Sequence, residues 1–325
     1  MGGEQRHRTL REPFGAIPVM TEREIEDLKR EILELKRRKG ALILVHNYQR
    51  EEVQAIADHL GDSLELSRAA AEADSNFIVF CGVRFMAETA KILSPQKLVV
   101  HPVPEARCPM ADMVTAEDIQ RMRREHPNAT FMCYVNTNAD VKAECDVCCT
   151  SANAAQIVKR LECDEIVFVP DRNLALYVQR FVNGKRIIPW DGWCYVHRRI
   201  LLDEVKRAKE AHPDALLIVH PECDPEVIDI ADAVRSTGGM VKLARESPNR
   251  KFLIGTEEGL IRRLKRENPE KQFFAAGTPR VCYNMKKITL VDVYNALVDE
   301  APEVELPDEI LRRARNCVER MLALV

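Results

Sequence analysis

The chain has 325 residues, of which 46% are apolar, and carries 48 Lys and Arg against 51 Asp and Glu. A net charge of −3 gives no electrostatic case for nucleic acid or an anionic membrane surface, and no apolar run approaches the roughly 20 residues of a membrane helix. Eleven cysteines without a signal-peptide apolar region argue against a secreted disulfide framework and for a reducing, cytoplasmic setting.

Met1–Met20 reads as a loose tail. A helix is expected from Thr21 to Lys39, with Ile25, Leu28, Ile32 and Leu35 on one face and a Thr21–Glu24 capping box. Strands follow at Leu42–Val45, Phe77–Phe80 and Leu98–Val100. A second helix, Thr115–His126, opens with Thr115 and Asp118 at capping-box spacing, and strands are expected at Thr130–Val135, Glu165–Val169 and Arg186–Ile188. A third helix, His197–Ala211, precedes strands at Leu216–Val219, Lys251–Ile254 and Gln272–Phe274. Two closing helices lie near Leu290–Val298 and Pro307–Val325. Strands alternating with helices predict an α/β chain with parallel sheets.

The spacing is repetitive. His46, Tyr134 and His220 each follow a strand, and each is followed seventeen positions later by a hydroxyl: Ser63, Ser151 and Thr237. A lone loop cysteine closes each copy: Cys108, Cys194 and Cys282. The pattern implies three αβα layers related by a pseudo-threefold axis. Their bounds are expected near 15–112, 113–200 and 201–288, with 289–325 returning to cover the first.

None of these three cysteines belongs to a close pair, as zinc knuckles and ferredoxin sites require. They share a site only if the fold converges them, which threefold symmetry does. Taken singly, each is more often a small core residue. Cys145-x-x-Cys148-Cys149 is the one close cluster; it has no second pair to complete a zinc site and reads as structural, with a reversible disulfide as the alternative. Strand-end residues of α/β sheets face ligands, so His46, Tyr48, Tyr134, Asn136, His220 and Glu222 point toward one face as acid–base or polar groups. Ser63, Ser151 and Thr237 at helix starts suit an anion pocket, ordinary N-capping being the plainer reading.

Across almost its whole length, Thr21 to Leu290, the sequence resembles the quinolinate synthase family. The stretches that carry the likeness include His46-Asn-Tyr-Gln, Gly61-Asp-Ser-Leu-Glu-Leu-Ser, Phe85-Met-Ala-Glu-Thr-Ala-Lys, Cys108-Pro-Met-Ala-Asp-Met, Tyr134-Val-Asn-Thr, Pro170-Asp-Arg-Asn-Leu, His220-Pro-Glu-Cys and Asn284-Met-Lys-Lys-Ile-Thr. Arg235-Ser-Thr stands where Gly-Ser-Thr is common. The resemblance implies three αβα layers around a 4Fe-4S cluster held by Cys108, Cys194 and Cys282, with one iron free of protein ligands. It implies condensation of iminoaspartate with dihydroxyacetone phosphate to quinolinate in NAD biosynthesis, with a functional link to an L-aspartate oxidase or dehydrogenase. Tyr48 and Glu222 are then expected to move protons. His46, His197 and His220 orient substrate, and Asn136 meets a substrate oxygen. The rival reading is a redox sensor built on Cys145–Cys149; a radical enzyme using S-adenosylmethionine would need a CxxxCxxC motif, which is absent.

Overall fold

The computed structural model describes residues 20–324, so the expected tail lies outside them apart from Met20. The first layer runs α1 (Glu22–Lys39), β1 (Ala41–His46), α2 (Glu51–Gln54), β2 (His59–Gly61), α3 (Ser63–Glu72), β3 (Phe77–Cys81), α4 (Arg84–Leu93) and β4 (Leu98–Val100). The second repeats the order with α5 (Ala116–Glu125), β5 (Thr130–Tyr134), α6 (Ala139–Glu144), β6 (Val147–Cys149), α7 (Ala154–Arg160), β7 (Glu165–Val169), α8 (Arg172–Gln179) and β8 (Arg186–Pro189). The third does so with α9 (Leu202–Ala211), β9 (Leu216–Val219), α10 (Pro225–Asp229), β10 (Ala233–Val234), α11 (Thr237–Glu246), β11 (Lys251–Gly255), α12 (Glu258–Glu267) and β12 (Gln272–Ala275). Each layer has its own parallel four-stranded sheet, ordered β2-β1-β3-β4, β6-β5-β7-β8 and β10-β9-β11-β12. Three separate sheets of one topology are what the repeat implied.

The central strands are apolar on both faces because helices cover both sides of a parallel sheet. In β3, Phe77, Ile78, Val79, Phe80 and Cys81 are all buried. Thr21 and Thr115 form the expected capping boxes. Gly40 ends α1 in the left-handed conformation, at φ 61°, where a Cβ would be strained.

The strand list misses β2, β6 and β10, the same element in every layer. Each has two or three residues at a sheet edge, too short for a periodic apolar run. What sets each one is an aspartate just before it. The carboxylates of Asp58, Asp146 and Asp232 accept the N–H of Ile43, Phe131 and Leu217 at 2.8, 2.7 and 2.8 Å. Their own N–H groups donate to the carbonyls of those same residues. This two-way clamp docks the chain against the central strand and hands it into the edge strand.

The third expected helix starts later than read. His197–Arg199 is a 3-10 turn and α9 begins at Leu202, because Ile200 is extended between them. The same turn follows the other loop cysteines, at Ala111–Met113 and Met285–Lys287. In all three, the cysteine carbonyl accepts an N–H from four residues on: Asp112, Arg198 and Lys286. The closing segment is α13 (Leu290–Asp299) and α14 (Asp308–Ala323). α13 packs on α1 and β3 of the first layer, whereas α14 packs on α6 and β6 of the second and on α4 of the first. The last helix therefore ties two layers together rather than covering the first alone.

Candidate active site

One cavity lies where the three layers meet. Its lining takes His46, Tyr48 and Ser63 from the first layer, Tyr134, Asn136 and Ser151 from the second, and His220, Glu222 and Thr237 from the third. Cys108, Cys194, Cys282 and His197 complete it. Every residue that the sequence assigned to a catalytic, substrate or cluster role thus borders a single space. Topology explains the convergence: the groups after β1, β5 and β9 and those opening the helices after β2, β6 and β10 lie at carboxyl ends of parallel strands.

The helix-start hydroxyls are not the caps. Asp62 caps α3, accepting from Leu64 and Glu65 N–H at 3.0 Å each. Ser236 caps α11, accepting from Gly239 N–H at 3.2 Å. Ser63 and Thr237 are the first residues inside those helices, and Ser151 sits in the turn before α7. Their hydroxyls are thereby free to face the cavity. Thr237 Oγ1 accepts from Asn47 Nδ2 at 2.9 Å, and the Asn47 amide oxygen accepts in turn from Arg263.

Glu222 is 3% exposed and is the electrostatic centre. The Tyr134 hydroxyl donates to its Oε1 at 2.7 Å. His197 Nδ1 lies 2.7 Å from its Oε2, but off the N–H direction, so the pair is a close contact and not an aligned hydrogen bond. Burial alone pushes the Glu222 carboxyl up; His197, with His220 and the Tyr134 hydroxyl, outweighs it and holds the group below the usual carboxylate range. Asn173, from the Pro170-Asp-Arg-Asn stretch, fixes this loop by donating to the Glu222 carbonyl at 3.1 Å and to Asp224 at 2.9 Å.

Tyr48 is not a direct partner of Glu222. Its hydroxyl meets Thr256 Oγ1 at 2.6 Å and His197 Nε2 at 3.5 Å, and Thr256 Oγ1 meets His197 Nε2 at 2.8 Å. Hydrogen bonds therefore join Tyr48, Thr256 and His197, and separately Tyr134 and Glu222, with His197 in close contact with Glu222 between them. Sequence reasoning missed Thr256, although Ile254-Gly-Thr-Glu follows a strand as the other site residues do. Burial and the Glu222 charge raise the hydroxyls of Tyr48 and Tyr134 well above the ordinary tyrosine value, so both are donors rather than phenolates. Burial, assisted by the Lys286 charge, lowers the His46 imidazole to about 3. Burial lowers His220 to about 3 as well. Both are therefore neutral near pH 7 and serve as hydrogen-bonding rings. His220 stacks on His197, with centroids 4.5 Å apart.

The cysteine loops are braced separately. Glu257 accepts the Cys282 N–H at 3.1 Å and pairs with Lys286 Nζ at 3.0 Å. That ammonium also donates to the carbonyl of Tyr48 at 2.5 Å, so the Cys282 loop is tied to the first layer. Gly192 lets the Cys194 loop approach Pro170, whose carbonyl would lie 2.4 Å from any added Cβ. Cys108, Cys194 and Cys282 are free cysteines, each half-buried as a residue. Burial acts first in raising the Cys108 and Cys194 thiols, and the Cys282 charge adds to both, as does that of Cys108 at Cys194. Three convergent thiols suit a thiophilic metal centre, and the buried Asn136 Oδ1 beside them has no hydrogen-bond partner within the protein. Cys194, His197 and Glu222 also offer ligand atoms within 4.8 Å of one another. Cys145, Cys148 and Cys149 lie elsewhere, buried beneath α14: Cys133 and Cys148 are strand neighbours, and Cys133 Sγ is 3.6 Å from Cys317 Sγ.

Among the described residues no helix is long and apolar enough to cross a membrane. A family model described as quinolinate synthetase A protein matches residues 30–323. Three similar proteins carry the name quinolinate synthase. That of Methanoregula boonei is 56% identical over 297 residues, covering 91% of this chain and 98% of its own. That of Thermodesulfovibrio yellowstonii is 52% identical over 295 residues, 91% and 97% of the two chains. That of Aquifex aeolicus is 49% identical over 311 residues, 94% and 96%. With the threefold sheet architecture and the converged pocket, these matches place the chain in the quinolinate synthetase A protein family.

Proposed function

We propose that this chain's quinolinate synthase activity is carried by the central cavity, which condenses iminoaspartate with dihydroxyacetone phosphate and releases phosphate and two waters. Cys108, Cys194 and Cys282 would hold a 4Fe-4S cluster. The observation that carries this reading is the convergence of three lone cysteines, from equivalent loops, on a cavity also lined by Ser63, Ser151, Thr237 and Glu222. Bound there, the cluster supplies Lewis acidity from the iron without a protein ligand.

The protein's own groups divide the remaining work. Ser63, Ser151 and Thr237 bind the phosphate or a carboxylate, helped by the dipoles of α3 and α11. His46 and His220, neutral at pH 7, donate hydrogen bonds to substrate oxygens without competing for protons. Asn136 directs its unpartnered amide oxygen at a substrate hydroxyl or imine N–H. Glu222, held ionised, takes a proton from the carbon acid, and the Tyr134 hydroxyl steadies the carboxylate. Tyr48 donates a proton to a departing hydroxyl and is resupplied through Thr256 and His197. The three layers, 20–112 with α13, 113–200 and 201–288, each give one strand end and one cysteine. An L-aspartate oxidase or dehydrogenase supplies the imine.

Anaerobic purification with iron and sulfide analysis, alongside product formation from the two substrates, tests the reading. About four irons per chain with quinolinate formed supports it. The Cys194, His197 and Glu222 group favours a second reading, a single bound ion; one metal and no sulfide would replace the cluster with that.

A further inference from the structure

A second space opens off the active site. A groove of about 1160 Å³ is lined by α3, α7 and α11, the equivalent helix of each layer, and it shares Asp62, Leu64 and Ser151 with the cavity lining. The two spaces are therefore neighbours separated by the residues at the starts of α3 and α7.

The charges on the groove are unequal in availability. Arg68, Lys159, Arg235, Lys242 and Arg245 all line it and are exposed. Among the described residues, none has a carboxylate within ion-pair distance, whereas Arg263 is paired with Glu267 at 2.7 Å. The acids there are mostly engaged. Asp62 caps α3 and accepts from Ser236 Oγ at 3.2 Å and from Gly238 N–H at 3.3 Å. Glu65 accepts the Asp62 N–H at 2.8 Å. Glu72 alone has no such partner. The lining carries six cations, these five and Arg263, against the four carboxylates of Asp62, Glu65, Glu72 and Glu267, a net positive concavity in a chain whose net charge is −3. A concave wall of net positive charge, with its five exposed cations free of ion pairs, raises the local concentration of anions.

We propose that this groove is a binding vestibule for small dianions, phosphate monoesters and dicarboxylates, through which they reach and leave the active site. The inference rests on the proposed function for the identity of those dianions. Arg68 and Lys242 or Arg245, from different layers, give a doubly charged ligand two points of attachment. A singly charged or neutral molecule gains less.

The test uses the full-length holoenzyme carrying Arg68→Gln, Lys242→Gln and Arg245→Gln together. A control carries Arg121→Gln, Arg312→Gln and Arg315→Gln, which make the same charge change outside the groove. At about 10 mM ionic strength the screening length is about 30 Å. There kcat/KM for dihydroxyacetone phosphate should fall about tenfold in the groove variant, with kcat changed less than about twofold. At about 1 M salt, with a screening length of about 3 Å, the gap should close. Calorimetric titration with inorganic phosphate at low salt should show at least about fivefold weaker binding in the groove variant only. Equal kcat/KM and equal phosphate affinity in groove variant and wild type would overturn the vestibule, as would an equal loss in the control. A chain that makes no quinolinate would sink the proposed function, and the phosphate titration would still decide the groove.

Discussion

The hydroxyl of Tyr134 donates a 2.7 Å hydrogen bond to Oε1 of Glu222, linking the strand ends of the second and third layers inside the pocket. The two residues occupy different places in the repeat, so the contact exists only because the layers face one another. Replacing Glu222 by Gln keeps the size and one hydrogen-bond acceptor but removes the base. Turnover should fall about 10²–10⁴-fold, with iron content and binding of a substrate analogue retained. Tyr134→Phe should cost less, about 10–100-fold, since it removes one hydrogen bond to a charged group worth about 1.5–3 kcal/mol. Near-normal turnover in Glu222→Gln would transfer the base role to another group.

Thr256 is a positioning residue. Its hydroxyl lies 2.6 Å from Tyr48 and 2.8 Å from His197, and no other side-chain hydroxyl among the described residues joins the two. Thr256→Val preserves shape and breaks the link, so kcat should drop about tenfold or more with little change in KM. Thr256→Ser should restore most of it. A valine variant with unchanged kcat, or a serine variant as poor as valine, would show that protons do not pass this way.

Buried imidazoles, His46 and His101 among them, make acid stability a readout of the fold. Burial holds His46 near 3 and also lowers His101, whose Nε2 bonds the Gly82 carbonyl at 2.9 Å. In the unfolded chain both take protons near pH 6.5. The unfolded state thus binds more protons as pH falls through 6.5, and native stability contributed by each ring is lost progressively below it, for His46 down toward about 3. Equilibrium unfolding by urea between pH 7.5 and about 4.5 should show a falling midpoint, and His101→Gln should flatten part of that slope. An unchanged slope would remove His101 from the account.

Much of this was readable beforehand because the repeat is one of spacing. His46, Tyr134 and His220 are chemically different, yet the strand before each and the hydroxyl seventeen positions after it are alike. Equivalent positions in three layers must share a face, so the pocket lining followed without any known distance. What escaped were relations that cross between layers. Thr256 lies in a short strand-end motif whose meaning depends on Tyr48, 208 positions away. Tyr48 and Glu222 both follow strands and both suit proton transfer, but whether two strand-end side chains touch is decided by layer orientation. The edge strands β2, β6 and β10 escaped for a local reason: two or three residues carry no period.

Their aspartates offer a stability test. Asp146 accepts the Phe131 N–H at 2.7 Å and pairs with Arg123 at 2.8 Å. Asp146→Ala leaves the Phe131 N–H, on a buried strand, without its side-chain acceptor. The expected loss is about 1–3 kcal/mol, and Asp58→Ala and Asp232→Ala should behave alike because each makes the same clamp. Denaturant unfolding of the three variants checks this. If only one site mattered, the clamps would be a shared geometry without a shared energetic role.

The two groups of cysteines should respond differently to substitution. Cys108, Cys194 and Cys282 line the cavity and are half-buried as residues, whereas Cys145, Cys148 and Cys149 are buried under α14 against Cys133 and Cys317. Cys108→Ala, Cys194→Ala and Cys282→Ala should each abolish iron and sulfide binding and turnover while leaving the folded layers intact, because the three thiols sit on loops outside the sheets. Cys145→Ala should keep full iron, sulfide and activity, and cost at most about 1–2 kcal/mol for a small buried side chain. Removing iron from the native protein with a chelator should mimic the first group, losing the visible absorbance and activity together, and anaerobic addition of iron and sulfide should restore both. The comparison is decisive through Cys194, which belongs both to the three-cysteine set and to the close group with His197 and Glu222. A single-ion site would lose its metal in Cys194→Ala and in Glu222→Gln but keep it in Cys108→Ala. A cluster on three cysteines loses it in Cys194→Ala and Cys108→Ala and keeps it in Glu222→Gln.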